Sequence, residues 1–242
     1  MALLELARVL KRFGCVLAVR EVSLSVEAGE ICGLMGANGA GKTTLFSLIA
    51  GHSKPDRGDI RFDGKSLTRL RPDQICRLGI GRTFQIVKPF AGLSVEDNLV
   101  TAASFGTARF KRRADAVAFS RGILEDFGLT SVAGQPAGTL TLSGQKRLEL
   151  ARAIATGARL VLIDEAMAGL TPTEVAAMLE TIRNVHRSRD LTLIVIEHVM
   201  RAVMQLAQRI IVLHHGELIA QGAPEAIAND PQVLRVYLGE AA

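Results

Sequence analysis

The 242-residue chain has no tryptophan, one tyrosine and three cysteines. So few large aromatics leave little from which to build a stacking platform for single-stranded nucleic acid, and no nucleic-acid partner is expected. No apolar run approaches the roughly 18 residues that a membrane helix needs. Among the longer ones are Leu160–Ile163, Leu191–Ile196 and Ile210–Leu213. The first ten residues are interrupted by Glu5 and Arg8 and carry no small-residue cleavage site, so no signal peptide is expected. Cys15, Cys32 and Cys76 are odd in number and lack metal-ligand spacing, which suits reduced thiols in a cytosol. Internal repeats, low-complexity segments and sustained heptads are also missing.

What is present is enough for a full core. Hydrophobic residues make up 48% of the chain, and the length accommodates one large or two modest domains. The net charge of +5 suits nucleic acid, an anionic membrane face, or a modest surplus with no partner at all. The charge is dispersed, and only Lys111-Arg112-Arg113 forms a run.

Residues 36–43 read Gly-Ala-Asn-Gly-Ala-Gly-Lys-Thr and fit G-x-x-x-x-G-K-[ST], the phosphate-binding loop of many NTPases. Gly36, Gly39 and Gly41 let the backbone take positive φ and bring N–H groups to phosphate oxygens, with Asn38 and Ala40 completing the cradle. Lys42 supplies a flexible cation for the β- and γ-phosphates, and the Thr43 hydroxyl suits Mg²⁺. The apolar run Ile31–Met35 reads as a buried strand feeding the loop. Leu45, Phe46, Leu48 and Ile49 follow with helical spacing, and Gly51 reads as the stop. Phosphates at that helix N-terminus meet orphan N–H groups and a favourable dipole.

Around this loop, residues 3–9 and 22–26 alternate as strands do, with Lys11-Arg12-Phe13-Gly14 between them. Ile60, Phe62 and the turn Asp63-Gly64 suggest an edge hairpin, Arg71-Pro72-Asp73 opens a short helix ending at Gly79, and 81–84 is strand-like. From about 88 to 149 there is little β signal. Ser94 reads as an N-cap before acidic first-turn residues, 114–127 and 145–155 have helical spacing, and 134–139 reads as a loop. The chain then resumes with a strand over 159–163. A capping box at Thr171–Glu174 with Pro172 at the first helical position follows, then a strand over 191–196, a hairpin across His214-His215-Gly216 and a helix over 224–228. Asp164 and Glu165 end an apolar strand. They suit a Mg²⁺ carboxylate and a group that polarises water, or they simply end that strand in solvent.

The spacing of the 36–43 loop, Gln85, Leu140–Gln145, Asp164-Glu165 and His198 resembles the ATP-binding cassette (ABC) transporter ATPases over essentially the whole chain. Arg-Thr-Phe-Gln at 82–85, Lys-Arg-Leu-Glu-Leu-Ala-Arg-Ala at 146–153, Ala168-Gly169-Leu170 and Ile-Glu-His at 196–198 are most similar to the branched-chain (hydrophobic) amino acid importers. So is the tail Asn229-Asp230-Pro231 to Tyr237-Leu238-Gly239. The resemblance implies an α/β P-loop NTPase (RecA-like) core with an antiparallel β subdomain and an inserted α-helical subdomain. It implies one nucleotide-binding domain, with 1–87 and 150–242 as the ATP-binding core and 88–149 as the helical subdomain. ATP and Mg²⁺ are the implied ligands. Carried over by position, Phe13 stacks on adenine, Thr44 contacts the α-phosphate, Gln85 reaches Mg²⁺ or the attacking water, Asp164 holds Mg²⁺, Glu165 is the catalytic base and His198 contacts the γ-phosphate.

The family signature Leu-Ser-Gly-Gly-Gln is altered. Counted back from Arg147 without a gap, Thr141 takes the Ser position and Ser143 the second Gly; read by letters, Leu142-Ser143-Gly144-Gln145 lacks one Gly. Thr141, Ser143, Gly144 and Gln145 are the implied contacts to the other cassette's ATP. Ala166, Thr171 and Val199 also depart from common family residues. The implied partners are integral-membrane permease subunits, a second ABC ATPase as homo- or heterodimer and, indirectly, an external substrate-binding protein. The implied place is the cytoplasmic face of a bacterial-type membrane. The competing readings are an ABC ATPase for urea or amide import or for lipid or lipopolysaccharide export, a soluble non-transport ABC ATPase, and a nucleotide-binding regulator without turnover.

Overall fold

The computed structural model describes residues 2–84, 88–107, 110, 112–197 and 200–238. In chain order the elements are β1 (Ala2–Phe13), β2 (Val16–Glu27), β3 (Ile31–Met35), α1 (Lys42–Ile49), β4 (Arg57–Phe62), β5 (Lys65–Ser66), α2 (Pro72–Leu78), β6 (Ile80–Arg82), α3 (Val95–Phe105), α4 (Arg113–Asp126), α5 (Leu142–Ala155), β7 (Leu160–Asp164), α6 (Pro172–Arg189), β8 (Thr192–Ile196), α7 (Met200–Leu206), β9 (Arg209–His214), β10 (Glu217–Gly222), α8 (Pro224–Ala228) and α9 (Pro231–Leu238). They form two compact units. One spans residues up to 75 and from 194 onward; the other spans 76–193.

In the first unit, β2-β1-β4-β5 form an antiparallel sheet, and β3 pairs parallel with β9, which pairs antiparallel with β10. Every residue of β3 is buried, as its uninterrupted apolar run requires. Met35 packs with Val203, Ile210, Val212, Ile227 and Val233, so α7, α8 and α9 close over β3 and β9. β1 and β2 run further than their alternation suggests. Lys11-Arg12-Phe13 belongs to β1, and only Gly14-Cys15 turns. The register slips at bulges marked by positive φ at Arg8 and Glu21, which breaks the period-two pattern locally. Arg209 anchors this unit: its guanidinium donates twice to Glu30, at 2.7 and 3.0 Å, and to the Ser25 carbonyl at 2.6 Å.

In the second unit, α3, α4 and α5 pack on one another, and β6 pairs parallel with β7. The expected caps form. Ser94 accepts the Asp97 N–H, and Thr171 and Glu174 close a full capping box with Pro172 in the first turn. Helix starts differ from the apolar pattern in two places. α4 begins at Arg113, and α5 begins at Leu142 rather than Gln145, because Thr141 caps it by accepting the Gly144 N–H. Residues 137–139 form a single 3₁₀ turn within the expected loop. In the charge run, Arg113 pairs with Asp97, and Lys111 lies outside the described residues.

Candidate active site

The first unit carries the phosphate loop. β3 ends at Met35, and α1 starts at Lys42 with Gly41 as its N-cap in the left-handed region, φ 101°. No side chain caps α1, and a helix N-terminus of this kind favours an anion. The two glycines fixed by the motif are sterically obligatory. A Cβ on Gly36 falls 2.3 Å from the Leu213 carbonyl oxygen, and one on Gly41 falls 2.4 Å from that of Ala18. Lys42 is buried and folds back over the loop, donating to the Gly36 carbonyl at 2.6 Å and the Ala37 carbonyl at 3.0 Å. Asn38 and Thr43 are exposed, and Thr44 is half-buried.

Two elements far along the chain brace this loop. His215 and Gly216, both at positive φ, make the tight turn of the β9–β10 hairpin. The Gly216 N–H donates to the Ala40 carbonyl at 3.1 Å, and its carbonyl accepts the Arg20 N–H at 2.8 Å. The Tyr237 phenol is raised by burial, and a hydrogen bond with the Gly36 backbone acts against the shift. At the far end of β1, Phe13 is exposed, with the Lys11 ammonium 5.2 Å from its ring centroid.

The second unit carries the carboxylates. Asp164 closes β7 and is 2% exposed; its carboxylate pairs with Arg82 at 3.1 Å, and its N–H donates to the Thr83 hydroxyl at 2.9 Å. Glu165 follows at φ 52°, a left-handed backbone that is costly for a residue with a Cβ. Its carbonyl accepts the Lys146 ammonium at 2.8 Å and the Ala168 N–H at 3.3 Å. Ser143 is buried, and Gln145 turns back to donate to the Leu140 carbonyl at 3.0 Å. Thr141 is the N-cap, and Leu142–Gln145 form the first helical turn. Leu142 is half exposed, and its Cδ2 lies 3.2 Å from where a Cβ on Gly169 would sit. Burial raises the Glu149 carboxyl, and the Phe84 N–H, donating at 2.8 Å, opposes that shift together with Lys146 and Arg152.

The structure thus gathers Phe13 and residues 36–44 in one unit, and Thr141–Gln145, Asp164 and Glu165 in the other. Gln85 and His198 lie outside the described residues. Each unit by itself holds chemistry that suits a magnesium nucleotide: in the first, the Thr43 hydroxyl is a hard oxygen donor and the α1 N-terminus suits phosphate; in the second, the buried Asp164 carboxylate is a hard oxygen donor. The contacts of Lys146, Gly216 and Tyr237 escaped the sequence reading, which placed Gly216 only in a hairpin turn and Lys146 and Tyr237 only in family motifs. Each acts on a backbone group distant in sequence, and no local pattern encodes that.

Residues 19–168 match the family model described as ABC transporter, and 217–242 match that of the branched-chain amino acid ATP-binding cassette transporter. The chain is 37% identical over 251 residues to the high-affinity branched-chain amino acid transport ATP-binding protein BraF of Pseudomonas aeruginosa, covering 99% of this chain and 98% of the relative. It is 39% identical, with the same coverage, to LivG of Escherichia coli K12, which carries the same description. Among solved structures, the ADP conformation of MJ1267, an ATP-binding cassette of an ABC transporter, aligns over 99% of this chain and 100% of its own at 28% identity and a TM-score of 0.87. The family model over 19–168 and the relatives at 37–39% identity over 99% of the chain settle the family: the chain belongs to the ATP-binding cassette transporter family, as an ATPase subunit.

Proposed function

We propose that this ATPase drives the import of branched-chain or similar hydrophobic amino acids. The observation that carries this reading is the 217–242 match, which covers β10, α8 and α9 and is specific to the branched-chain group. The names of BraF and LivG support the same substrate class.

One domain spans the chain, with 1–87 and 150–242 binding ATP and 88–149 as the helical part. Phe13 stacks on adenine. The 36–41 backbone and the α1 N-terminus hold the phosphates, while Lys42 exchanges its two loop carbonyls for phosphate oxygens and Thr44 meets the α-phosphate. Thr43, Asp164 and Gln85 hold Mg²⁺, which when bound neutralises charge on the transferring phosphoryl group. Glu165 accepts the proton of the attacking water as its oxygen bonds to the γ-phosphorus and ADP leaves; His198 donates to the γ-phosphate. Thr141, Ser143, Gly144 and Gln145 face the ATP of a second cassette, so two sites close together when ATP binds. Leu142 puts a half-exposed bulky side chain where the family pattern has Gly, which favours a non-identical second cassette.

Exposed Phe84, Phe90 and Leu93 flank the Gln85 segment and suit the cytoplasmic loops of a permease. Among the described residues no helix is long and apolar enough to cross a membrane, so transport needs that partner. The work site is the cytoplasmic face of the membrane, with an external binding protein delivering substrate. The test is co-expression with a candidate permease, reconstitution in vesicles, and ATP-driven uptake of labelled leucine, urea and lipid. Uptake of leucine, abolished by Glu165→Gln, is expected; uptake of urea or lipid alone overturns the substrate reading.

A further inference from the structure

The signature helix does more than present its N-terminus. Three side chains spaced along one side of α5 each grip the backbone of a different segment. Lys146 donates to the Glu165 carbonyl at 2.8 Å, Glu149 accepts the Phe84 N–H at 2.8 Å, and Arg152 donates to the Lys88 carbonyl at 2.9 Å. The last two clasp both ends of the segment containing Gln85. The first takes hold of Glu165.

Lys146 is the unusual member. It is 4% exposed, and an ammonium is buried at such depth only when something specific holds it. Here the holder is a main-chain carbonyl, and that carbonyl belongs to a residue forced into the left-handed region, φ 52°. A strained backbone persists only where its surroundings over-determine it. The direction of the Glu165 carbonyl fixes the peptide plane that follows it, and so the rotation of the Glu165 Cα and the direction in which its side chain leaves β7. The Ala168 N–H, at 3.3 Å, is the weaker of the two donors to that carbonyl. Without the ammonium, the residue can relax toward ordinary φ, and the carboxylate swings away.

We propose that Lys146 is a positioning residue for hydrolysis: it locks the Glu165 carbonyl in its left-handed turn and thereby aims the Glu165 carboxylate at the attacking water. The inference rests on Glu165 being the base.

The test uses the full chain with Mg-ATP and compares Lys146→Met, Lys146→Arg and Glu165→Gln, each checked for its thermal midpoint. Lys146→Met is expected to lower kcat about ten- to a hundredfold, the scale of a misplaced catalytic group. KM and the Kd of a fluorescent ATP analogue stay within about twofold, because ground-state binding is untouched. Lys146→Arg keeps a cationic donor and recovers most of the rate; a purely space-filling role would not discriminate the two. If Lys146→Met does not fold, Lys146→Gln, one bond shorter, is read by the same criteria. Full kcat in the Met or Gln variant, or equal losses in kcat and ATP affinity, overturns the inference. Normal hydrolysis by Glu165→Gln overturns instead the reading of Glu165 as base, and inactive Glu165→Gln beside fully active Lys146→Met sinks the Lys146 role alone.

Discussion

Replacing Gly36 with alanine should cost ATP affinity far more than replacing Gly39, although both lie in the same loop. At Gly36 the added Cβ would stand 2.3 Å from the Leu213 carbonyl oxygen and 2.8 Å from the Ala40 Cβ. The first obstacle is backbone of β9, paired to β3 on one side and β10 on the other, so it cannot yield. The backbone also sits at φ 151°, where an L side chain is strained. Overpacking of this kind costs about 1–3 kcal/mol, and the forced backbone about 1–3 kcal/mol more. The free loop relieves the strain by shifting, so most of the loss falls on binding, which must reimpose the cradle. At tenfold per 1.4 kcal/mol, even the low end of about 2 kcal/mol weakens binding about 30-fold. At Gly39 nothing stands within 4 Å of the added Cβ, and only φ 79° is disfavoured. That costs about 1 kcal/mol, or about fivefold. Titration calorimetry with Mg-ATP on both variants, with thermal midpoints as a folding control, measures the difference. Wild-type affinity in Gly36→Ala, or a larger loss in Gly39→Ala, would show that the Leu213 carbonyl does not set the shape of the loop.

Three further outcomes follow from the same structure. Thr171→Ala removes the acceptor of the Glu174 N–H, the side-chain half of the α6 capping box, while the backbone N–H at 171 still donates to Glu174; stability should fall by about 1 kcal/mol, and a urea midpoint equal to that of wild type contradicts it. Because burial raises the Glu149 carboxyl, the folded state prefers it protonated: its favourable share is complete below the ordinary value of 4.5 and is lost as pH rises through the higher folded value. Glu149→Gln keeps an acceptor for the Phe84 N–H and cannot ionise, so its urea midpoint should match wild type at acid pH and exceed it at neutral pH; the reverse trend refutes the assignment. Arg209→Met strands the partly buried Glu30 carboxylate: burial works to raise it, and Arg209 and the Glu27 backbone outweigh that and hold it below its ordinary value. The loss should be about 2–3 kcal/mol at neutral pH, below the range for a fully buried pair because Arg209 is a quarter exposed. Glu30 contributes stability above its ordinary value of 4.5, lost as pH falls through the depressed folded value, so the gap between wild type and variant should close on acidification.

The sequence alone determined whatever is encoded within a few residues. The motif glycines, the Thr171–Glu174 capping box and the His214–Gly216 hairpin are local chemistry: φ preference, side chain to nearby N–H, turn geometry. The spacing of the 36–43 loop, Gln85, Leu140–Gln145, Asp164-Glu165 and His198 carried the resemblance to the family. The start of α5 was legible only in part, since Leu142 and Ser143 look like loop residues until Thr141 is seen to cap them. Tertiary structure decided which of these pieces hold one another. Gly216 supports Ala40, Tyr237 reaches Gly36, and Lys146 grips Glu165 through backbone groups, which have no letter in the sequence. A lysine at the fifth position of a helix reads as a solvated cation; only the packing of α5 against β7 buries it and gives it the Glu165 carbonyl to hold.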